Sequence, residues 1–138
     1  MGDNVAVTAS RLEVVPENPE VELLWWQGCP STDEARRMLR AALDGSGLSA
    51  VVIRTVEVRT DEQARELRFR GSPTIRIDGT DVVELAGGDD PSAGEPAALT
   101  CRLYRRRDGR ISPTPDPHDV RVAIELSAEA RRLSEEVA

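Results

Sequence analysis

Hydrophobic and polar positions follow first a strand pattern and then a helix pattern, which predicts an α/β protein. Residues 21–26 form a short apolar run rich in strand-forming side chains. The apolar positions that follow have the spacing of one helix face, namely Ala35, Met38, Leu39, Ala42 and Leu43. Pro30 suits a first helical turn, and Gly45 and Gly47 suit a helix end. We therefore predict a strand, then a helix over 30–44 with Cys29 as its N-cap.

The middle of the chain repeats this order. The β-branched residues of 50–58 predict a second, buried strand. Thr60 and Gln63 have the spacing of a capping box, which predicts a short helix through Leu67. A third strand is expected over 74–78 and a fourth over 81–85.

The last third begins with a loop rich in Gly, Ala and Pro over 86–98. Residues 99–106 alternate and predict a strand whose apolar face carries Leu99, Cys101 and Leu103. A hairpin turn at 108–109 and a final helix opening at 116–117 follow. One face of that helix carries Val120, Ala123, Ile124 and Ser127.

These elements predict a central mixed sheet of four to five strands flanked by about three helices. The first two strands are joined by a helix and should be parallel, with a right-handed crossover. Residues 1–19 are predicted to be a flexible arm, with an extra strand around 11–15 as one interpretation. The domain itself spans 20–127, and 128–138 form a polar helical tail prone to fraying.

Charge and composition exclude several classes of function. The 138 residues include 25 acidic and 18 basic side chains, for a net charge of −7, which argues against a nucleic-acid partner. All 18 basic residues are arginine, which excludes a Schiff-base lysine and a P-loop lysine. Without a signal-like segment or a long apolar run, we expect no membrane partner and a cytoplasmic location.

Two motifs carry a resemblance to a known family. Cys29 is followed by Pro-Ser-Thr32 at a helix start, and Gly71-Ser72-Pro73-Thr74 opens the third strand. With the element order over 21–126, this resembles the thioredoxin superfamily, including thioredoxins and glutaredoxins. The resemblance implies a thioredoxin-like fold with a Cys-x-x-Cys loop in which Thr32 replaces the second Cys. It also implies a cis-proline at Pro73, and a Ser72 backbone held open for an extended substrate or mixed disulfide.

A narrower resemblance is to short actinobacterial thioredoxin-like proteins often labelled as related to alkylmercury lyase. Alkylmercury lyases place Cys-x-x-Asp at a comparable helix start and a second Cys in a later strand. Cys29 and Cys101 match those two thiols, while Thr32 stands where the acid would be. Asp33 is one position along and is the candidate to replace that acid, although a shift of one residue turns it by about 100° on a helix. The resemblance thus implies a soft-metal or organomercurial site through Cys29 and Cys101.

The residues themselves support Cys29 as the nucleophile. A thiol at a helix start faces unpaired N–H groups and the positive end of the helix dipole, both of which favour thiolate. Asp33 in the first turn opposes that effect. Ser31 and Thr32 either donate hydrogen bonds to the Cys29 sulfur or are ordinary first-turn residues.

Three other residues keep two interpretations each. Cys101 is either a core residue on an apolar strand face or a partner of Cys29. Trp26 either shelters the thiol and binds substrate together with Ser72 and Pro73, or packs in the core. Pro73 itself is a cis-proline or a rigid strand start.

Three functions remain open at this point. The first is a thiol protein in which Cys29 attacks a small or protein thiol partner in thiol–disulfide exchange or a related reaction. The second is binding or cleavage of an organometal, with a soft ion such as Hg(II) on Cys29 and Cys101. The third is a redox-inactive binding module, since fold does not fix function.

Overall fold

A computed structural model of the chain describes residues 18–137. The predicted strand over 11–15 and nearly all of the predicted N-terminal arm lie outside the described residues. The strands are β1 (Val21–Trp25), β2 (Ile53–Glu57), β3 (Thr74–Ile77), β4 (Thr80–Asp81), β5 (Tyr104–Arg105) and β6 (Ile111–Ser112). The helices are α1 (Thr32–Gly45), α2 (Asp61–Leu67), α3 (Val82–Leu85) and α4 (Pro117–Val137).

The central sheet is mixed and has the strand order β2-β1-β3-β4. β1 runs parallel to β2, with Val21 opposite Ile53. It runs antiparallel to β3, with Leu23 opposite Ile75. This confirms the predicted α/β class and the parallel pairing of the first two strands, which α1 connects.

The two faces of the sheet are covered by different helices. Leu23 and Ile75 point to the face that packs against α1, α3 and α4 in the larger apolar core. Leu24 points the other way, into a smaller cluster that includes Ala64 of α2. The predicted inner face of the last helix is buried, at Val120, Ala123, Ile124 and Ser127. The capping of α2 is also confirmed, since Thr60 Oγ1 accepts from Gln63 N at 3.0 Å.

The first helix starts later than the sequence predicts. α1 begins at Thr32 with Ser31 as its N-cap, so Cys29 is not the N-cap. The Cys29 N–H donates to the Trp26 carbonyl at 3.0 Å, which shows that the chain is still turning there. The helical ladder opens only where Ala35 N–H donates to the Ser31 carbonyl at 3.1 Å.

Three predicted strands are shorter or different. β2 spans only five residues and is partly exposed, because within residues 18–137 it pairs with β1 alone. The predicted fourth strand over 81–85 ends at Asp81, whose carboxylate accepts from Val83 N at 2.9 Å and caps α3. The predicted strand over 99–106 reduces to β5 and one isolated bridge, between Ser72 and Cys101.

The C-terminal part of the described chain is a hairpin followed by a long helix. β5 and β6 pair antiparallel around the predicted turn, where Gly109 has a φ of +90°. α4 then continues through the residues predicted as a polar tail. No helix within residues 18–137 combines the length and the apolar character needed to cross a membrane.

Candidate functional site

Cys29 lies in the turn between β1 and α1, with 7% of the residue exposed. Its Sγ donates a hydrogen bond to the Ser72 carbonyl oxygen at 3.2 Å. This bond is available to the thiol and not to the thiolate, which has no proton to donate. The turn therefore holds Cys29 against the loop that opens β3.

Ser72 uses every polar group that it has. Its N–H donates to the Thr100 carbonyl at 2.8 Å, and its carbonyl also accepts from the Arg102 N–H at 2.9 Å. Its Oγ accepts from the Trp26 N–H at 2.9 Å. The expectation that Ser72 keeps its backbone open for an incoming substrate is therefore wrong in this structure, because residues 100–102 of the same chain occupy those groups. The bond from Ser72 to Pro73 is cis, as the resemblance implies.

Gly71 makes this close approach possible, and the sequence reasoning missed it. Its φ is +136°, and a Cβ at this position would lie 2.7 Å from both the Cα and the N of Arg102. Only glycine therefore lets residues 100–102 lie against Ser72. The signal was present in the sequence as a glycine immediately before Ser72-Pro73.

Cys101 is exposed and is not a core residue. Cys101 forms a backbone bridge with Ser72, whose carbonyl accepts the Cys29 thiol, so the two cysteines lie beside the same residue. Partial desolvation raises the pKa of the Cys101 thiol, and the charge and the hydrogen bond of Cys29 raise it further. Both cysteines are free thiols. The structure thus brings the two predicted thiols together.

The alternation around Cys101 is inverted relative to the prediction. Leu103 is 51% exposed, whereas Arg102 and Tyr104 are each 1% exposed. The core residues of this segment are therefore the polar ones, because each finds partners inside the protein. Cys101 shares the outward face with Leu103.

Arg102 anchors the segment through buried hydrogen bonds. Its guanidinium pairs with Asp81, with Asp90 at 3.1 Å, and with Thr74 Oγ1 at 3.1 Å. Burial alone would lower the pKa of Arg102, but Tyr104 and the two carboxylates raise it above its ordinary range. The arginine is therefore a permanent cation that pins the residue after Cys101 to the sheet.

Tyr104 adds a second anchor from the same side of the strand. Its hydroxyl donates to the Pro73 carbonyl at 2.6 Å, and its ring lies 4.5 Å from the Arg102 guanidinium carbon. Burial raises the pKa of Tyr104 well above its ordinary value, so the phenol stays protonated as a donor. Pro73 and Cys101 are thus held in one rigid unit.

Trp26 lies over the loop that carries Cys29. Its indole ring packs beside the cluster of Leu24 and Phe69, so it contributes to the core. A Cβ added to Gly28 would overlap the same ring. Trp26 therefore packs over Gly28 as well as against the core, whereas Trp25 lines the pocket that holds Cys29.

The first turn of α1 contributes little to the thiol directly. Ser31 is buried and makes no side-chain capping bond. Thr32 Oγ1 is buried and has no partner among the described residues. Asp33 is exposed and pairs with Arg36 at 3.6 Å. A shallow pocket of about 280 Å³ joins Cys29 to Thr32 and Asp33.

Comparisons with known proteins give no relative from which a role could be transferred. Residues 18–137 contain no group of three or more His, Cys, Asp or Glu side chains that could hold a metal ion. No protein-family model, no curated protein and no solved structure matches the chain. The candidate site is therefore defined by its own geometry, in which two free thiols lie on either side of Ser72 in a cis-proline loop.

Proposed function

We propose that this chain is a thioredoxin-like thiol protein in which Cys29 and Cys101 interconvert between dithiol and disulfide. The shared position of the two cysteines against Ser72 carries the proposal, Cys29 through its thiol hydrogen bond and Cys101 through the backbone bridge. The strand order β2-β1-β3-β4 and the position of Cys29 between β1 and α1 support the thioredoxin-like interpretation.

Exposure sets the order of the exchange steps. Cys101 is exposed and Cys29 is buried, so an external disulfide meets Cys101 first. The Cys101 thiolate attacks one sulfur of the external disulfide, and the other sulfur leaves as a thiolate that takes up a proton. Cys101 then carries a mixed disulfide.

Cys29 is the nucleophile of the closing step. After losing its proton, and with it the hydrogen bond to Ser72, its thiolate attacks the Cys101 sulfur. The second external thiolate leaves and is protonated. The external disulfide is reduced to two thiols, and the protein is oxidised to one Cys29–Cys101 disulfide.

The occupied Ser72 backbone limits the partner. A polypeptide substrate has no free N–H or carbonyl at Ser72 with which to pair as a strand, because residues 100–102 already do so. The proposal therefore favours a small disulfide, or a protruding protein disulfide that reaches Cys101. A free dithiol of this kind suits a reducing cytoplasm, which is the location we propose.

We would test the function by equilibrating the full chain in dithiothreitol buffers of graded redox ratio. Intact mass measurement and peptide mapping then report the state of the two cysteines. The expected result is loss of two hydrogens and one peptide pair linking Cys29 to Cys101. Cys29→Ser should stop at a mixed disulfide on Cys101 when a small disulfide is added. Failure of the natural chain to form the bond would overturn the proposal.

Soft-metal binding is the second candidate, favoured by the same pair of thiols. Two thiolates suit a soft ion such as Hg(II), and no third ligand is grouped with them in the described chain. Asp33 already pairs with Arg36, which supports binding of the metal rather than carbon–mercury cleavage. Titration with Hg(II) under a competing small thiol should give one ion per chain. Equal binding by Cys101→Ser would exclude the paired site.

A further inference from the structure

A cleft on the α2 side of the sheet is lined by five arginines among its eleven residues. It has a volume of about 520 Å³, within the usual size of a small-molecule site. Its charged lining consists of Arg65, Arg68, Arg70, Arg76, Arg102, Asp81 and Glu84. Five cations thus face two carboxylates, in a chain whose net charge is −7. We call this the arginine cleft.

The inner end of the arginine cleft holds cations close together. Burial lowers the pKa of Arg76, whereas the negative charges of Asp81 and Glu22 raise it. The positive charges of Arg102 and Arg70 lower it further. Asp81 and Asp90 pair with Arg102, and Asp90 also pairs with Arg70, so these carboxylates already offset part of the positive charge at the inner end.

Part of the donor capacity of the cleft is unused. The Nε of Arg102 is buried and has no hydrogen-bond partner among the described residues, although Arg102 itself is 1% exposed. At the outer end, Arg65 and Arg68 are exposed, and neither pairs with a carboxylate in residues 18–137. The cleft thus combines a fixed inner cation with two free outer ones.

We propose that the arginine cleft binds the phosphate group of a small anionic ligand. The planar guanidinium fork matches phosphate oxygens in pairs, and a phosphate presents about two charges and three acceptors to several arginines at once. A single carboxylate presents only one charge and two oxygens to the same arginines. The site is separate from the two thiols, although Arg102 follows Cys101 directly in the chain.

Isothermal titration calorimetry with inorganic pyrophosphate, at low ionic strength and on the full reduced chain, tests the site. The natural chain should show saturable binding of one anion. Arg65→Gln with Arg68→Gln should weaken it by about tenfold or more, the effect of losing a charge-assisted hydrogen bond. Both residues are exposed, so the variant should keep its fold, which circular dichroism checks.

Arg121→Gln with Arg132→Gln is the matched control, because it removes the same charge from exposed positions of α4. It should leave pyrophosphate binding unchanged. Equal weakening by the control would reduce the effect to overall charge and overturn the site. Absence of saturable binding, or succinate binding as tightly as pyrophosphate, would also overturn the phosphate assignment.

Discussion

Ser72 and Cys101 both lie outside the named strands and form an isolated parallel bridge with each other. Two backbone hydrogen bonds, of 2.8 and 2.9 Å, fix Ser72 between Thr100 and Arg102. The same Ser72 carbonyl accepts the Cys29 thiol. Both cysteines are therefore positioned by Ser72, so their proximity depends on the path of the backbone and not only on the two side chains.

Gly71→Ala should separate the thiols. The added Cβ would lie 2.7 Å from backbone atoms of Arg102, and alanine is strained at a φ of +136°. We expect a loss of about 1–3 kcal/mol in unfolding free energy and a slower closure of the Cys29–Cys101 disulfide. Urea unfolding and timed quenching of oxidation measure the two effects.

Gly47→Ala is the matched control for that variant. Gly47 has a φ of +76°, but a Cβ there meets nothing within 4 Å. It should cost backbone strain without changing the rate of disulfide closure. If both variants slowed closure equally, the Ser72–Cys101 bridge would not be what sets the geometry of the pair.

The apolar periodicity predicted the central elements because short-range physics decides them. The inner face of α4, with Val120 and Ile124, and the capping of α2 by Thr60 both follow from local spacing. The position of Cys29 ahead of a helix was also predicted. Its distance from the helix start was not, because Pro30 suits a turn as well as a first helical residue.

The face of Cys101 could not be predicted for a different reason. An alternating segment defines two faces but does not say which is buried, and hydropathy favoured the face of Leu103. Arg102 is buried because Asp81 and Asp90 meet it, and these partners lie 21 and 12 residues away. Pairing between residues this far apart in the chain cannot be recognised from a single sequence.

Cys29→Ser should make Cys101 more reactive at a given pH. The charge and the hydrogen bond of Cys29 help to raise the pKa of Cys101, while desolvation is the larger cause and remains. Without Cys29 the pKa of Cys101 should fall, and the fraction of thiolate near neutral pH should rise. The pH profile of iodoacetamide labelling, mapped to the Cys101 peptide, measures this. An unshifted profile would show that the two thiols do not interact.

Asp78→Asn should remove an acid-sensitive part of the stability. The hydrogen bond from Arg131 is the main reason that the pKa of Asp78 falls from 3.8 to about 2. Desolvation raises this pKa, and the hydrogen bond from Ser127 lowers it. Because the folded-state pKa is depressed, this stabilisation is present above about pH 4 and is lost as pH falls towards 2. Asp78 is 38% exposed, so solvent screening limits the effect to no more than about 1 kcal/mol.

Urea unfolding at a series of pH values measures the Asp78 effect. Asparagine tolerates the positive φ of 52° at this position, so backbone strain should not confuse the comparison. The natural chain and the variant should differ at pH 7 and converge near pH 2. Asp33→Asn is the control, because Asp33 lies in an exposed pair with Arg36. Its unfolding free energy should show no comparable pH-dependent difference from that of the natural chain. A constant gap at all pH values would contradict the assignment.

Thr32→Val tests whether the first residue of α1 serves the thiol or only occupies the helix start. Thr32 Oγ1 is buried without a partner in the described chain, so the isosteric valine removes an unmet polar group. We expect about 1 kcal/mol of added stability and an unchanged rate of Cys29–Cys101 closure.

Thr74→Val is the opposite control, because Thr74 Oγ1 donates to the Gly71 carbonyl at 2.7 Å and accepts from Arg102 at 3.1 Å. That variant should lose about 1–3 kcal/mol in urea unfolding. Slower closure in Thr32→Val would instead show that its hydroxyl acts on the Cys29 sulfur during the reaction.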